Sequence, residues 1–348
     1  MKRAVIVGGS GYTGGELLRL LLDHPEVEVV GVSSERLAGR LVHTVHPHLR
    51  GRTALTFSTA AGLAGADVAF LAMQHGAAVR EQDRWRDLAP LVIDMSADFR
   101  LRNPHAYATW YGWEHPDPEL LGTFVYALPE LGRERIRSGD HLATGGCVAT
   151  AAILGLFPLA RAGVIDMALP LVVDATTGSS AAGSQPGAAS HHPHRSGEMR
   201  PFAPTGHRHT AEIAQEAGFV DGAPSISLSV TSVEAVRGIL VTAHVMLNAD
   251  LDERTIRGVY RDAFRDEPFL RIVKQASGLH RHPNAKILAG TNLCDVGFER
   301  DPHTRRVVVL SAIDNLTKGA AGQAVHALNV HEGWPETAGL GFHGMYPL

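Results

Sequence analysis

RAVIVGGSGYTGGELLRLLLDHPEVEVVGVSS, Arg3 to Ser34, reads as strand, glycine turn, amphipathic helix and second strand. Val5 to Val7 form the first apolar run, Leu17, Leu18, Leu21 and Leu22 recur at helical spacing, and Val27 to Val32 give the next strand. Between them Gly9, Ser10, Gly11, Tyr12, Thr13 and Gly14 match G-x-G-x-x-G. Glycines there let the backbone approach a pyrophosphate, which the free amides at a helix N-terminus can bind. The bland alternative is a tight turn that binds nothing.

Working outward, "DVAFLAM" (67–73) and "LVIDMS" (91–96) are further short apolar runs that end in polar or glycine-rich loops. Repeated strand–helix alternation predicts an α/β fold with a Rossmann-type, doubly wound parallel sheet. After about residue 150 the pattern changes. "ALPLVVDATTG", "SISLSVTSV", "GILVTAHVMLN" and "RVVVLSAIDN" are rich in β-branched residues and predict a mixed or antiparallel sheet in a second α+β domain. Helical spacing returns in the tail through Ala321, Val325, Leu328 and Val330. The domain expectation is therefore 1–146 plus 316–348 for the first domain and 147–315 for the second.

Composition bounds the function. A chain of 348 residues with net charge -4 and 45% hydrophobic residues suits an enzyme of two domains, not a nucleic-acid binder. No apolar run reaches the length of a membrane span, and the basic N-terminus runs straight into a buried strand rather than a cleavage site. Two cysteines exclude a disulfide scaffold and predict a cytoplasmic setting.

The second strand ends in Ser33-Ser34-Glu35-Arg36. Ser34 and Arg36 suit a 2'-phosphate, which favours NADP(H), while Glu35 would suit the ribose diol of NAD. Cys147 lies in "GGCVATAAILGLFPL", two glycines before an apolar helix. A cysteine at a helix N-terminus faces the positive end of the dipole, which favours thiolate. Cys294, in the alternating strand "TNLCDVGFE", reads as a small buried residue. A thiolate nucleophile beside a nicotinamide points to thioester chemistry, because a thioester accepts hydride far better than an ester. Such chemistry also needs a proton carrier and an anion site.

"HHPHRSGEMRPFAPTGHRHTAE", 191–212, holds five histidines and three arginines against two glutamates. It offers His207 as acid/base, with His209 as the alternative, and Arg208 for a phosphate or carboxylate. Zinc is the rival reading, but no H-E-x-x-H or paired C-x-x-C spacing occurs, so no metal is expected. Arg100 of "IDMSADFRL" could bind substrate phosphate, or could be a structural partner of Asp98.

At these residues the chain resembles the N-acetyl-γ-glutamyl-phosphate reductases, relatives of aspartate-semialdehyde dehydrogenase. The matching pieces are "GGSGYTGGELLRLL", "DMSADFRL", "YALPEL", "GGCVATAAILGL", "GSSAAG", "PTGHRHTAEI" and "AIDNLTKGAAGQAVHALN". They span essentially the whole chain. The familiar arginine-pathway pattern around the nucleophile is N-P-G-C-Y-x-T, whereas "TGGCVAT" stands here. The segment "SHHPHRSGEMRPFAPTGHRH" looks more like the lysine-biosynthesis branch, which reduces 2-aminoadipate 6-phosphate carried on a small acidic protein of the LysW type. The resemblance implies Cys147 and His207 at the chemistry, and Arg100, Arg208 and His209 on the substrate. It places Arg195 and Arg200 at the entrance used by the carrier. It adds Asn315 and Lys318 near the nicotinamide half, and a homo-oligomer, dimer or tetramer.

Overall fold

The computed structural model describes residues 1–220 and 222–347. The chain divides into two compact units. One takes Met1–Gly145 and Ala320–Gly341, the other Gly146–Gly319 and the segment beginning at Phe342. Among the described residues no helix is long and apolar enough to cross a membrane.

In the first unit β1 (Lys2–Val7), α1 (Tyr12–Leu21), β2 (Val27–Val32), β3 (Val68–Leu71), α2 (Gln82–Leu88) and β4 (Leu91–Asp94) follow one another. Then come α3 (His105–Tyr111), β5 (Phe124–Tyr126), α4 (Arg133–Arg137) and β6 (His141–Ala143). All six strands are parallel, in the order β2-β1-β3-β4-β6-β5. Parallel strands are covered on both faces, which is why β3 and β4 are buried at every position. The strand order reverses at β1, between β2 and β3, and the glycine turn after β1 lies at that crevice.

The second unit opens with α5 (Cys147–Arg161), whose residues Val148 to Ala160 are all buried. A helix apolar all round must be covered all round. Its neighbours are β7 (Leu171–Thr177), α6 (His192–Arg195), β8 (Met199–Ala203), α7 (His209–Glu216), β9 (Ile226–Val233), β10 (Ile239–Met246) and α8 (Glu253–Phe264) in chain order. β11 (Leu270–Ile272), β12 (Cys294–Arg300) and β13 (Arg306–Ile313) complete the unit. The mixed sheet runs β11-β12-β13-β10-β7-β9-β8. Strict alternation puts Val173, Val241, Ala243 and Val309 in the core, with α5 packed against β10 and β13. Val172, Leu240, Met246 and Leu310 alternate with them and stay partly exposed on the other face. α9 (Gly322–Glu332) belongs to the first unit and is buried from Gly322 to Val330.

The segment 191–203 differs from a simple histidine-rich loop. It forms the short helix α6 and then the edge strand β8, antiparallel to β9.

Candidate active site

Cys147 is the first residue of α5, with Gly146 as its extended N-cap. The thiol is partly exposed, whereas Cys294 is fully buried with Sγ 3.5 Å from Ser311 Oγ. Gly146 has no side chain to cap the helix with; α7 supplies caps from outside. Glu212 Oε2 accepts from the Gly146 N–H at 2.8 Å, and His209 Nδ1 accepts from the Ala149 N–H at 3.3 Å. These take up donors that a helix leaves unsatisfied in its first turn. His209 Nε2 lies 3.8 Å from Glu212 Oε1, and both residues are buried. Glu212 was not among the sequence candidates. Its place three residues after His209, on the same helix face, was the available signal.

Two glycines make room for this arrangement. A Cβ on Gly146 would stand 2.3 Å from His209 Nε2, and one on Gly319 would stand 2.7 Å from Cys147 Cβ. Neither position needs a left-handed backbone. Both are glycine because another side chain occupies the space.

His207 packs edge-on to His209 with ring centroids 4.6 Å apart. Its Nδ1 accepts from the His209 backbone N–H at 3.2 Å, so the single proton of the neutral ring sits on Nε2. Burial, reinforced by the Arg208 charge, lowers its pKa to about 4. The ring so placed is uncharged near neutrality. The depressed pKa also affects stability. The neutral ring favours the fold above the unfolded pKa of 6.5, and that contribution is lost as pH falls through about 4. His207→Asn should therefore flatten the loss of thermal stability between pH 6.5 and 4, by up to about 3 kcal/mol at the acid end. Calorimetric melts across that range measure it; parallel curves for the two proteins would contradict the burial argument.

Several candidates are engaged elsewhere. Arg195 is a strut: its guanidinium binds Glu198, Ser232 Oγ and the carbonyls of Val233 and Ala235. Arg200 is exposed but pairs with the same Glu198. Only Arg208 of the three is exposed without one of these ties to Glu198. Asn315 accepts from the Gly238 N–H at 2.8 Å and donates to Ser180 Oγ at 2.9 Å. Its amide ties together loops of the second unit. Lys318 is fully buried, with Nζ 5.6 Å from the centre of the Phe269 ring.

In the first unit Arg100 is buried and donates through Nε to the Thr144 carbonyl (2.8 Å) and through Nη2 to the Met95 carbonyl (3.1 Å). These bonds tie it to backbone carbonyls of its own unit. Asp98 accepts from the Gly76 and Val79 N–H groups. Beside it, burial and the Asp98 charge push the Asp94 carboxyl well above the usual range. Gly145, next in the chain after Thr144, donates to Gln323 Oε1 of α9 at 2.6 Å. The segment leading to Gly146 is thus held at both residues.

The glycine turn has the form of a phosphate cradle. Gly14 packs so tightly on Gly9 that a Cβ would come within 2.5 Å of its Cα, while nothing lies within 4 Å of the Cβ position of Gly11. The turn is closed beneath and open above. Ser34 Oγ donates to Ser10 Oγ at 2.9 Å, and Arg36 is exposed one turn further on. Glu35 Oε1 accepts from the Ala60 N–H at 2.8 Å.

With this geometry in place, family models match along nearly the whole chain. A semialdehyde dehydrogenase NAD binding domain covers residues 3–139, and a semialdehyde dehydrogenase dimerisation domain covers 147–315. The chain belongs to the semialdehyde dehydrogenase family. A Thermomicrobium roseum protein provisionally named LysW-L-2-aminoadipate 6-phosphate reductase is 59% identical over 99% of this chain and 98% of its own. The Deinococcus radiodurans LysW-L-2-aminoadipate 6-phosphate reductase is 47% identical over the same shares. Among solved structures, Vibrio cholerae aspartate semialdehyde dehydrogenase II matches with a TM-score of 0.72 at 16% identity, covering 95% of this chain and 98% of that one. The Candida albicans enzyme with NADP matches with a TM-score of 0.70 at 14% identity and the same coverage. At such identities these two establish the shared fold.

Proposed function

We propose that this enzyme reduces the 6-phosphate of 2-aminoadipate, held by its amino group on a LysW-type carrier protein, to the semialdehyde with NADPH. The observation that carries the reaction class is Cys147, a partly exposed thiol at the head of a buried helix whose first amides are capped by His209 and Glu212. The substrate follows from the names of the near full-length relatives.

The Cys147 thiolate, favoured by the helix dipole, attacks the acyl carbon. The carbon–oxygen bond to phosphate breaks, phosphate departs with the electron pair, and a thioester remains on Cys147. A nicotinamide coenzyme, when bound, would supply the hydride that reduces this thioester. The thiohemiacetal oxyanion left on Cys147 then collapses, the carbon–sulfur bond breaks, and the aldehyde leaves as the thiolate is restored. His207, neutral at working pH with its proton on Nε2, serves as hydrogen-bond donor to the oxyanion. A neutral, buried imidazole does this without a change of charge. His209, fixed between Ala149 and Glu212, orients that ring.

NADP is favoured over NAD because the one carboxylate after β2, Glu35, is engaged by the Ala60 N–H instead of a ribose diol. Ser34 and the exposed Arg36 then suit a 2'-phosphate. Arg36→Ala should lower the preference for NADPH over NADH by roughly tenfold or more, the worth of a charge-assisted contact. An unchanged ratio of dissociation constants would move the 2'-phosphate site elsewhere.

The exposed Arg208, with His191, His192 and His194, gives an acidic carrier its approach. Arg195 is withdrawn from that surface by its structural bonds. The partly apolar outer face of the mixed sheet suits a homo-oligomer, and two free cysteines, one of them the nucleophile, suit the reducing cytoplasm. Coenzyme oxidation with carrier-linked aminoadipyl phosphate, against free N-acetyl-glutamyl phosphate, tests the substrate. Efficiency on the carrier-linked form should be greater by about two orders of magnitude, the gain expected when remote binding energy is used for catalysis. Equal efficiency would return the enzyme to arginine biosynthesis.

A further inference from the structure

Gly15 lies outside the G-x-G-x-x-G pattern, yet it too is glycine, and the reason is His46. A Cβ on Gly15 would stand 2.5 Å from His46 Nδ1 and 2.6 Å from its Cε1. The imidazole is buried beneath the glycine turn, with Phe57 edge-on at 6.2 Å between ring centroids. Burial lowers its pKa, so the ring carries one proton. Nε2 lies 2.8 Å from the Gly9 carbonyl oxygen, which can only accept, so that proton is on Nε2 and points at Gly9.

This bond fixes more than a carbonyl. In a trans peptide the C=O and the following N–H point in opposite directions. Holding the Gly9 oxygen inward on His46 therefore turns the Ser10 N–H outward. That N–H makes no hydrogen bond among the described residues. Gly9 is held from the other side as well, its own N–H donating to the Ser33 carbonyl at 2.8 Å. Gly9 is thus held through both its N–H and its C=O, and the free Ser10 donor faces the open side of the turn.

We infer that His46 is a positioning residue for the coenzyme: it sets the Gly9–Ser10 peptide so that the Ser10 N–H is presented to the pyrophosphate. The inference rests on the dinucleotide reading of this turn. It separates His46 from a residue that merely fills the core, because a filler needs shape alone and this role needs a donor.

Glutamine and methionine are close in size, but only glutamine can donate to Gly9. Dissociation constants for NADPH and for adenosine 2'-monophosphate, which lacks the pyrophosphate, should be measured by titration calorimetry. His46→Met is expected to weaken NADPH at least tenfold and to leave adenosine 2'-monophosphate within twofold. His46→Gln should recover most of the NADPH affinity. Gly15→Ala, which displaces the ring without touching its chemistry, should behave like His46→Met and supplies the test if that variant does not fold. Equal NADPH affinity in the wild type and His46→Met would overturn the inference, and so would equal losses for both ligands. A wild-type protein that binds neither ligand would instead refute the coenzyme reading itself.

Discussion

Cys147→Ser should abolish carrier-dependent coenzyme oxidation, lowering turnover by about three orders of magnitude or more, as loss of a nucleophile does elsewhere. Serine keeps the size of the side chain and its place at the head of α5. It lacks a thiolate at neutral pH, and the ester it would form is a poor hydride acceptor. NADPH affinity should be unchanged, because the glycine turn belongs to the first unit and Cys147 to the second. Iodoacetamide should modify Cys147 in preference to Cys294, whose side chain is fully buried. Turnover retained in Cys147→Ser, or preferential labelling of Cys294, would remove Cys147 from the mechanism.

Gly319→Ala is expected to have the next largest effect. One methyl group is added, and it would lie 2.7 Å from Cys147 Cβ and 3.2 Å from its Cα. Those atoms are not the far end of a flexible chain, so the start of α5 must move. A displacement of this kind at a reacting atom costs about a hundredfold in rate. Turnover and the rate of Cys147 alkylation should fall together while the melting temperature shifts by only a few degrees. Activity near the wild-type level would show that the turn containing Gly319 yields without disturbing the nucleophile.

These two substitutions differ in how visible they were beforehand. Cys147 is legible in the sequence because glycine turn, cysteine and apolar helix are neighbours in the chain, and local order predicts local geometry. Gly319 is 172 residues away along the chain from Cys147, and nothing near it announces a contact with a thiol. Glu212 lay within the quoted histidine-rich segment and was passed over for the more reactive-looking residues beside it. Its value comes from the Gly146 N–H, a partner that only the folded chain supplies.

Charge was the least reliable guide. Arg195, Arg200 and Arg208 are alike in sequence, but Arg195 is consumed by Glu198 and by the carbonyls of Val233 and Ala235. Carbonyls partly withdrawn from water need donors, and a guanidinium carries five. The same accounting draws Arg100 onto Thr144 and Met95, and turns Asn315 toward Gly238 and Ser180.

By itself the sequence determined the parallel sheet with its glycine turn, the mixed second sheet and a nicotinamide coenzyme, and it offered Cys147 as the candidate nucleophile. Each of these is written in short-range periodicity or in a motif whose parts are adjacent. The tertiary structure alone decided which nitrogen of His207 holds the proton, which carboxylate caps α5, and that His46 holds the Gly9 carbonyl from beneath the glycine turn. It also decided which arginines are free to meet a partner. Those outcomes depend on burial and on hydrogen-bond partners far apart in the chain, and a residue's type does not record where its partners will be.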